Sequence, residues 1–260
     1  MKIRRFCALV LGAFSVALLA ACVSTGDNGR KVSNKDAAKA NMQLGVAYMQ
    51  KGQLQLAKDK LERAEKQDPG NFEVHWAMAS LSEHLNQPAD AERQYQAALK
   101  LAPGNSEIAN TYAVFLCKSG KVDKALPLFD GVIRDPLYRT PWAAAANAAV
   151  CLRADKRNAD AIPYLQRALN LRPDFITAVV EMSDLQLALG KPDQAQATVD
   201  NFLSLGRKSA DVLLVGVRAA LAQGNRSAAE NYARLLRRDF PNSPPTQALP
   251  QLLTPGKASQ

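Results

Sequence analysis

The sequence predicts an all-α protein, an α-solenoid of six two-helix repeats, antiparallel within each repeat and wound into a right-handed superhelix. Three observations predict it. Alanines recur at Ala57, Ala91, Ala125, Ala161, Ala195 and Ala229, spaced 34, 34, 36, 34 and 34 residues apart. A Gly-type turn stands five residues before most of them, at Gly52, Gly120, Gly190 and Gly224, and a large apolar residue four after, at Leu61, Tyr95, Phe129, Leu165 and Val199. A proline follows twelve after, at Pro69, Pro103, Pro173 and Pro241. Self-similarity at a fixed period marks a stacked architecture, in which no repeat can bury its apolar face alone.

Each recurring residue has a physical reason. A small side chain lets paired helices approach closely. The glycine or another turn former reverses the chain, and the proline stops the second helix because it cannot continue the backbone bonding. Taken in order, the units are 38–71, 72–105, 106–139, 142–175, 176–209 and 210–243, with 244–260 read as a polar C-terminal tail. The first unit is the most complete copy, with Leu44-Gly45, Tyr48, Ala57, Leu61, Ala64 and Pro69. This grammar at a period of 34 resembles the tetratricopeptide repeat, two antiparallel helices per unit.

Ahead of the repeats, Lys2, Arg4 and Arg5 precede an apolar run from Phe6 to Ala20. That is the pattern of a bacterial export signal, too short for a stable membrane span. It closes on Leu19-Ala20-Ala21-Cys22, which resembles a lipobox. The resemblance implies a signal peptide over 1–21, a diacylated Cys22 thiol, and an acylated new amino group. An ordinary signal with an accidental cysteine is the other reading. Buried acyl chains contribute about 0.8 kcal/mol per CH₂, so two or three of them anchor firmly. Val23 stands where an Asp would resemble an inner-membrane retention signal, which favours the periplasmic face of the outer membrane. Residues 22–35 are polar and contain glycine, so they are expected to tether the solenoid to the lipid. Beyond the covalent lipid on Cys22, no cofactor is expected.

The formal net charge of +9 falls to +6 once residues 1–21, with three cations and no acid, are removed. Charges spread along helices are a solvated surface, and no basic block marks a nucleic-acid partner. Of the four cysteines, Cys7 leaves with the signal and Cys22 takes lipid. Cys117 and Cys151 remain, in an oxidising compartment where pairs close. Counting each repeat so that its alanine is position 20, they fall at positions 12 and 10 of neighbouring first helices. A disulfide is favoured; two separate buried thiols are the alternative.

The spacing of 36 falls between the third and fourth repeats, where the segment 135–142 reads Asp-Pro-Leu-Tyr-Arg-Thr-Pro-Trp. Together with Asn110, Tyr112, Phe115-Leu116-Cys117, Asn147 and Cys151, it resembles the type IV pilus biogenesis and stability lipoproteins of the PilF/PilW family. That family has Asn-x-Tyr-Gly-x-Phe-Leu-Cys, a Pro-x-Tyr-x-x-Pro turn and Asn-x-Gly-x-Cys. Here Ala113 and Ala149 replace its two glycines, which puts in doubt any groove contact that needs bare backbone there. The resemblance implies a pilotin: an outer-membrane lipoprotein that binds secretin subunits and promotes their localisation and multimerisation for pilus extrusion and twitching motility. An adaptor for cell-wall hydrolases or porin assembly is the first alternative, and a cell-wall enzyme the second.

No phosphate-binding loop, serine-hydrolase elbow or His-Glu-x-x-His appears, so no catalytic or metal-binding residues are assigned and no enzyme is expected. The two histidines, His75 and His84, lack a third ligand. What such a monomeric solenoid can do is bind, through the concave wall of its first helices. In this repeat type positions 2, 5, 9, 12 and 13 face the groove. They place Met42, Val46, Met49, Trp76, Asn110 and Val114 in an apolar partner-binding groove over repeats one to three. Packing between first helices is the other reading for Trp76. The later repeats offer smaller residues and charges, among them Ala143, Ala146, Arg153, Asp184 and Arg218.

Overall fold

The computed structural model describes residues 33–254. The expected export signal over 1–21, Cys22, most of the tether and residues 255–260 lie outside the described residues. Thirteen α-helices fill the described residues with no strand among them. Six antiparallel pairs follow in order: α1 (Asn34–Gln50) with α2 (Leu54–Gln67), α3 (Phe72–His84) with α4 (Pro88–Leu101), and α5 (Ser106–Lys118) with α6 (Val122–Arg134). Then come α7 (Pro141–Ala154) with α8 (Asn158–Leu171), α9 (Ile176–Ala188) with α10 (Pro192–Ser204), and α11 (Ala210–Ala222) with α12 (Arg226–Asp239). A last helix, α13 (Pro244–Leu253), packs on α11 and α12.

Every turn inside a pair is three residues long, and its middle residue takes a left-handed backbone. Glycine does this at Gly52, Gly120, Gly190 and Gly224 with φ of 69–71°; Asn86 (φ 55°) and Lys156 (φ 61°) do it in the second and fourth repeats. Between pairs the second helix stops two residues ahead of Pro69, Pro103, Pro173 and Pro241. The next first helix then starts from a polar cap: Asn71 accepts from the Glu73 N–H at 3.0 Å, and Asn105 from the Ile108 N–H at 3.1 Å. The connection after α6 runs over 135–140 and is six residues long, which absorbs the two residues that stretch the period.

The six marker alanines are fully buried, as are Leu61, Tyr95, Phe129, Leu165 and Val199 one turn later. They pack against position 8 of the partner helix, occupied by Gly45, Ala79, Ala113, Ala149, Ser183 and Val217. At Gly45 the approach is closest: a Cβ there would stand 2.6 Å from Leu61 Cγ. Ala113 and Ala149 therefore lie between paired helices and not on the concave wall. The doubt about groove contacts raised by their replacing glycine falls away, because those positions are core.

Two expectations about the ends are corrected. Asn34 and Lys35, assigned to the tether, already form the first turn of α1, capped by Ser33, which accepts from the Asp36 N–H at 3.1 Å. The segment from 244, read as a polar tail, is helical to Leu253. Its Leu249 is 1% exposed and completes the last core cluster, while Ser243 caps the helix and Thr246 Oγ1 donates to the Phe240 carbonyl at 2.7 Å. Without α13 the apolar face of the sixth pair would meet water, so this helix caps the stack.

Candidate functional site

On α1, Met42, Val46 and Met49 stand at i, i+4 and i+7, one face of a helix. The neighbouring first helix α3 brings Trp76, Ala77 and Ser80 alongside, with Glu73 at the rim. These seven residues line an open hollow of about 320 Å³ on the concave wall. The three α1 side chains pack on the first core cluster of Ala57, Leu61, Ala77 and Leu81, whereas Trp76 packs against the central cluster. The indole is half-buried and lines the hollow at the same time, so it has both roles weighed for it. Methionine and tryptophan give large contact area, and methionine adapts its shape to what lies against it.

The other two predicted groove residues, Asn110 and Val114, sit on α5 outside this hollow. Asn110 Oδ1 accepts from Asn147 Nδ2 at 3.4 Å, tying α5 to α7. One turn further along the same wall, Cys117 and Cys151 are joined by a disulfide with their Cα atoms 5.5 Å apart. Ala146, assigned to the groove from its repeat position, is 2% exposed and belongs to the core instead. Its small side chain lets α7 sit close to its neighbours.

In the later repeats the concave charges satisfy one another. The Arg153 guanidinium donates to Glu181 between α7 and α9, and Arg218 Nη1 donates to Asp184 Oδ1 at 2.7 Å between α9 and α11. Sequence reasoning gave Glu181 no role and named Asn147 only for the resemblance it carries; both fall at position 6 of their repeats. That position faces back to the preceding first helix, Asn147 to α5 and Glu181 to α7, and only the stacked geometry shows it. A larger hollow of about 620 Å³ opens beside the turns of the second and third repeats, but its charged groups are also paired. Glu92 takes Lys121, and Glu83 takes the Tyr95 hydroxyl and Lys118 at 3.7 Å. The apolar hollow between α1 and α3 thus differs in kind from both.

The histidines have surroundings that explain them. His75 places Nδ1 2.6 Å from Gln94 Oε1 and Nε2 2.9 Å from the Pro69 carbonyl, while His84 is exposed at the end of α3. Among the described residues no group of three His, Cys, Asp or Glu side chains is placed to hold a metal ion. The connection 135–140 is held rigidly: Asp135 accepts from Ser106 Oγ and from the Leu137 N–H at 2.9 Å, bonds that lower its carboxyl below the usual range. Tyr138 is buried under it, and Trp142 lies 5.0 Å below the Arg172 guanidinium. Leu137, between them, is 87% exposed.

Comparison with known proteins gives three results. Two family models, both described as the tetratricopeptide repeat, match residues 42–106 and 116–174 and residues 84–136 and 152–212. The type IV pilus assembly protein PilF of Pseudomonas aeruginosa is 28% identical over 228 residues, 86% of this chain and 90% of PilF. Among solved structures, PilW, described as a widely conserved type IV pilus biogenesis factor, aligns with a TM-score of 0.64 and 29% identity, covering 82% of this chain and 97% of PilW. The structure of Pseudomonas aeruginosa PilF aligns with a TM-score of 0.64 and 28% identity, over 84% of this chain and 98% of PilF.

Proposed function

Because the chain belongs to the tetratricopeptide-repeat proteins of the PilF/PilW family, which act in type IV pilus biogenesis, we propose that it works as a lipid-anchored pilotin. In this reading it binds secretin subunits of the pilus machinery and promotes their outer-membrane localisation and multimerisation. The observation that carries the binding part is the apolar hollow formed by Met42, Val46, Met49 and Trp76, in a concave wall whose other charges are largely paired. An apolar strand or helix of the partner fits such a surface, since its anchors can fill the hollow while the rim stays polar. The acyl chains on Cys22 would hold the pair at the target bilayer and raise the effective concentration of bound secretin there.

The anchor is tested by Cys22→Ser in the native host. Labelled palmitate should no longer enter the protein, and the fraction of secretin assembled as outer-membrane multimer should fall at least several-fold. A variant that still labels and still floats with outer membrane would refute the lipid assignment. One that loses its label yet assembles secretin at the normal level would refute the tethering mechanism.

A further inference from the structure

Because each pair is antiparallel and its three-residue turn lies at one end, every first helix starts and every second helix ends on the same edge of the solenoid. This inter-repeat edge carries Leu101, Leu137, Leu171, Ile176 and Leu205, half of the ten exposed large hydrophobics among the described residues. The opposite edge carries two, Leu56 in the first turn of α2 and Leu189. Single exposed leucines are ordinary; an accumulation on one edge is not explained by stacking, which these side chains leave free. Leu137 is the extreme case, 87% exposed on a connection that Asp135 and the buried Tyr138 hold in place.

The cations do not choose the edge by themselves, since the intra-pair turns also carry Lys121, Lys156, Arg157 and Lys191. On the inter-repeat edge, however, they stand beside the leucines. The connections 135–140, 172–175 and 205–209 hold Arg139, Arg172, Arg207 and Lys208 against two carboxylates, Asp135 and Asp174; Asp211 follows at the start of α11, and Lys208 is paired with Asp239 at 2.9 Å. Asp135 is engaged by Ser106, and Asp174 by Arg172 at 3.2 Å and Arg207 at 3.5 Å. Both arginine side chains remain about half exposed, at 47% and 64%. The chain also enters the solenoid here, because Ser33 caps the start of α1. Ten residues lie between it and Cys22, a reach of at most about 40 Å.

We propose that the inter-repeat edge docks on an anionic lipid surface, with Leu137, Leu171 and Leu205 entering the headgroup–acyl boundary and Arg139, Arg172 and Arg207 meeting the phosphates. Shallow apolar insertion combined with basic residues is how peripheral proteins gain a second membrane signal beside an acyl anchor. No helix among the described residues is long and apolar enough to cross a membrane, so the contact is peripheral. With this edge down, the concave wall stands side-on to the bilayer and open to the periplasm. The proposal rests on the anchor reading only for the direction from which the bilayer approaches.

The test removes the anchor. The chain from residue 22 onward, carrying Cys22→Ser, is mixed with vesicles of phosphatidylethanolamine and phosphatidylglycerol, and separately with phosphatidylcholine vesicles. It should co-sediment with the anionic vesicles, at least tenfold more weakly in half-molar salt, and poorly with the neutral ones. Replacing Leu137, Leu171 and Leu205 by Asp should lower binding at least tenfold, while Leu189→Asp on the other edge leaves it unchanged. Leu137→Asp alone, at a side chain with almost no packing to lose, should lower it several-fold with the helical signal intact. A parent that ignores anionic vesicles, or a Leu137→Asp chain that binds them as the parent does, would overturn the proposal. Neither outcome bears on secretin binding, which is measured without lipid.

Discussion

Tyr95→Ala should lower the unfolding free energy by about 3–5 kcal/mol, the cost of removing a large aromatic from a packed core. Tyr95 is fully buried, stacks on Tyr112 at 5.3 Å and meets the tilted ring of Phe115 at 5.4 Å, and so joins the second pair to the third. Its hydroxyl donates to Glu83 on α3. Tyr95→Phe should cost only about 1–2 kcal/mol, since Glu83 is still near Lys118 and only one bond is lost. Chemical denaturation of both variants separates the two contributions. Because stability in a stacked array sums over neighbours, the Ala variant should also unfold its first two repeats before the rest.

The same phenol sets an alkaline limit. Burial, and then the hydrogen bond to Glu83, push its ionisation above the ordinary value of 10. Burial and Asp130 likewise push Tyr164 up to about 12, and burial and Asp200 raise Tyr232. Each folded-state value is raised, so above pH 10 the unfolded chain gives up phenolic protons that the folded chain keeps. The stabilisation is whole below pH 10 and is lost as pH rises towards the folded values. Phenolate absorbance should therefore appear together with loss of helical signal above pH 10, and earlier unfolding is expected for Tyr95→Ala.

Opening the Cys117–Cys151 bond should have the next largest effect. The bridge closes a loop across 34 residues of sequence, for which chain-entropy arithmetic gives roughly 4 kcal/mol. It crosses from α5 to α7, spanning the longest connection in the stack. Cys117→Ser or Cys151→Ser should lower the melting temperature by several degrees or more and keep a fully helical spectrum. Unreduced wild-type protein should resist alkylation at both positions until reduced and unfolded. Two free thiols in periplasmically produced protein would contradict the bridge.

Most of the fold was legible because close packing dictates it. A paired helix admits only a small residue where Ala57 and its five equivalents sit, and a three-residue turn needs a left-handed residue where Gly52 or Asn86 sits. Such requirements recur with every repeat and so write themselves as a period. What was not legible depends on single positions. The helix α13 lies beyond the last copy of the period and carries Pro244, Pro245 and Pro250. Two of them occupy the first turn, where the missing N–H costs nothing. The groove was half legible. Repeat position brought Met42, Val46, Met49 and Trp76 together, but it could not show that Asn110 and Val114 fall outside the hollow, or that Ala146 is buried. The pairing of Arg153 with Glu181 depends on how adjacent pairs rotate against each other, which no single repeat encodes.

The central claim, that the hollow between α1 and α3 receives a secretin segment, is tested most directly by binding. The purified chain with Cys22→Ser is titrated with fragments of the secretin from the same pilus system, alongside Trp76→Ala, Met42→Ala with Met49→Ala, and Arg218→Ala. Circular dichroism reports folding for each. One fragment should bind the parent and the Arg218→Ala chain equally, and should bind the folded Trp76→Ala and double-methionine variants at least tenfold more weakly. Folded Trp76 and methionine variants with undiminished affinity would contradict the claim and move the site elsewhere on the solenoid.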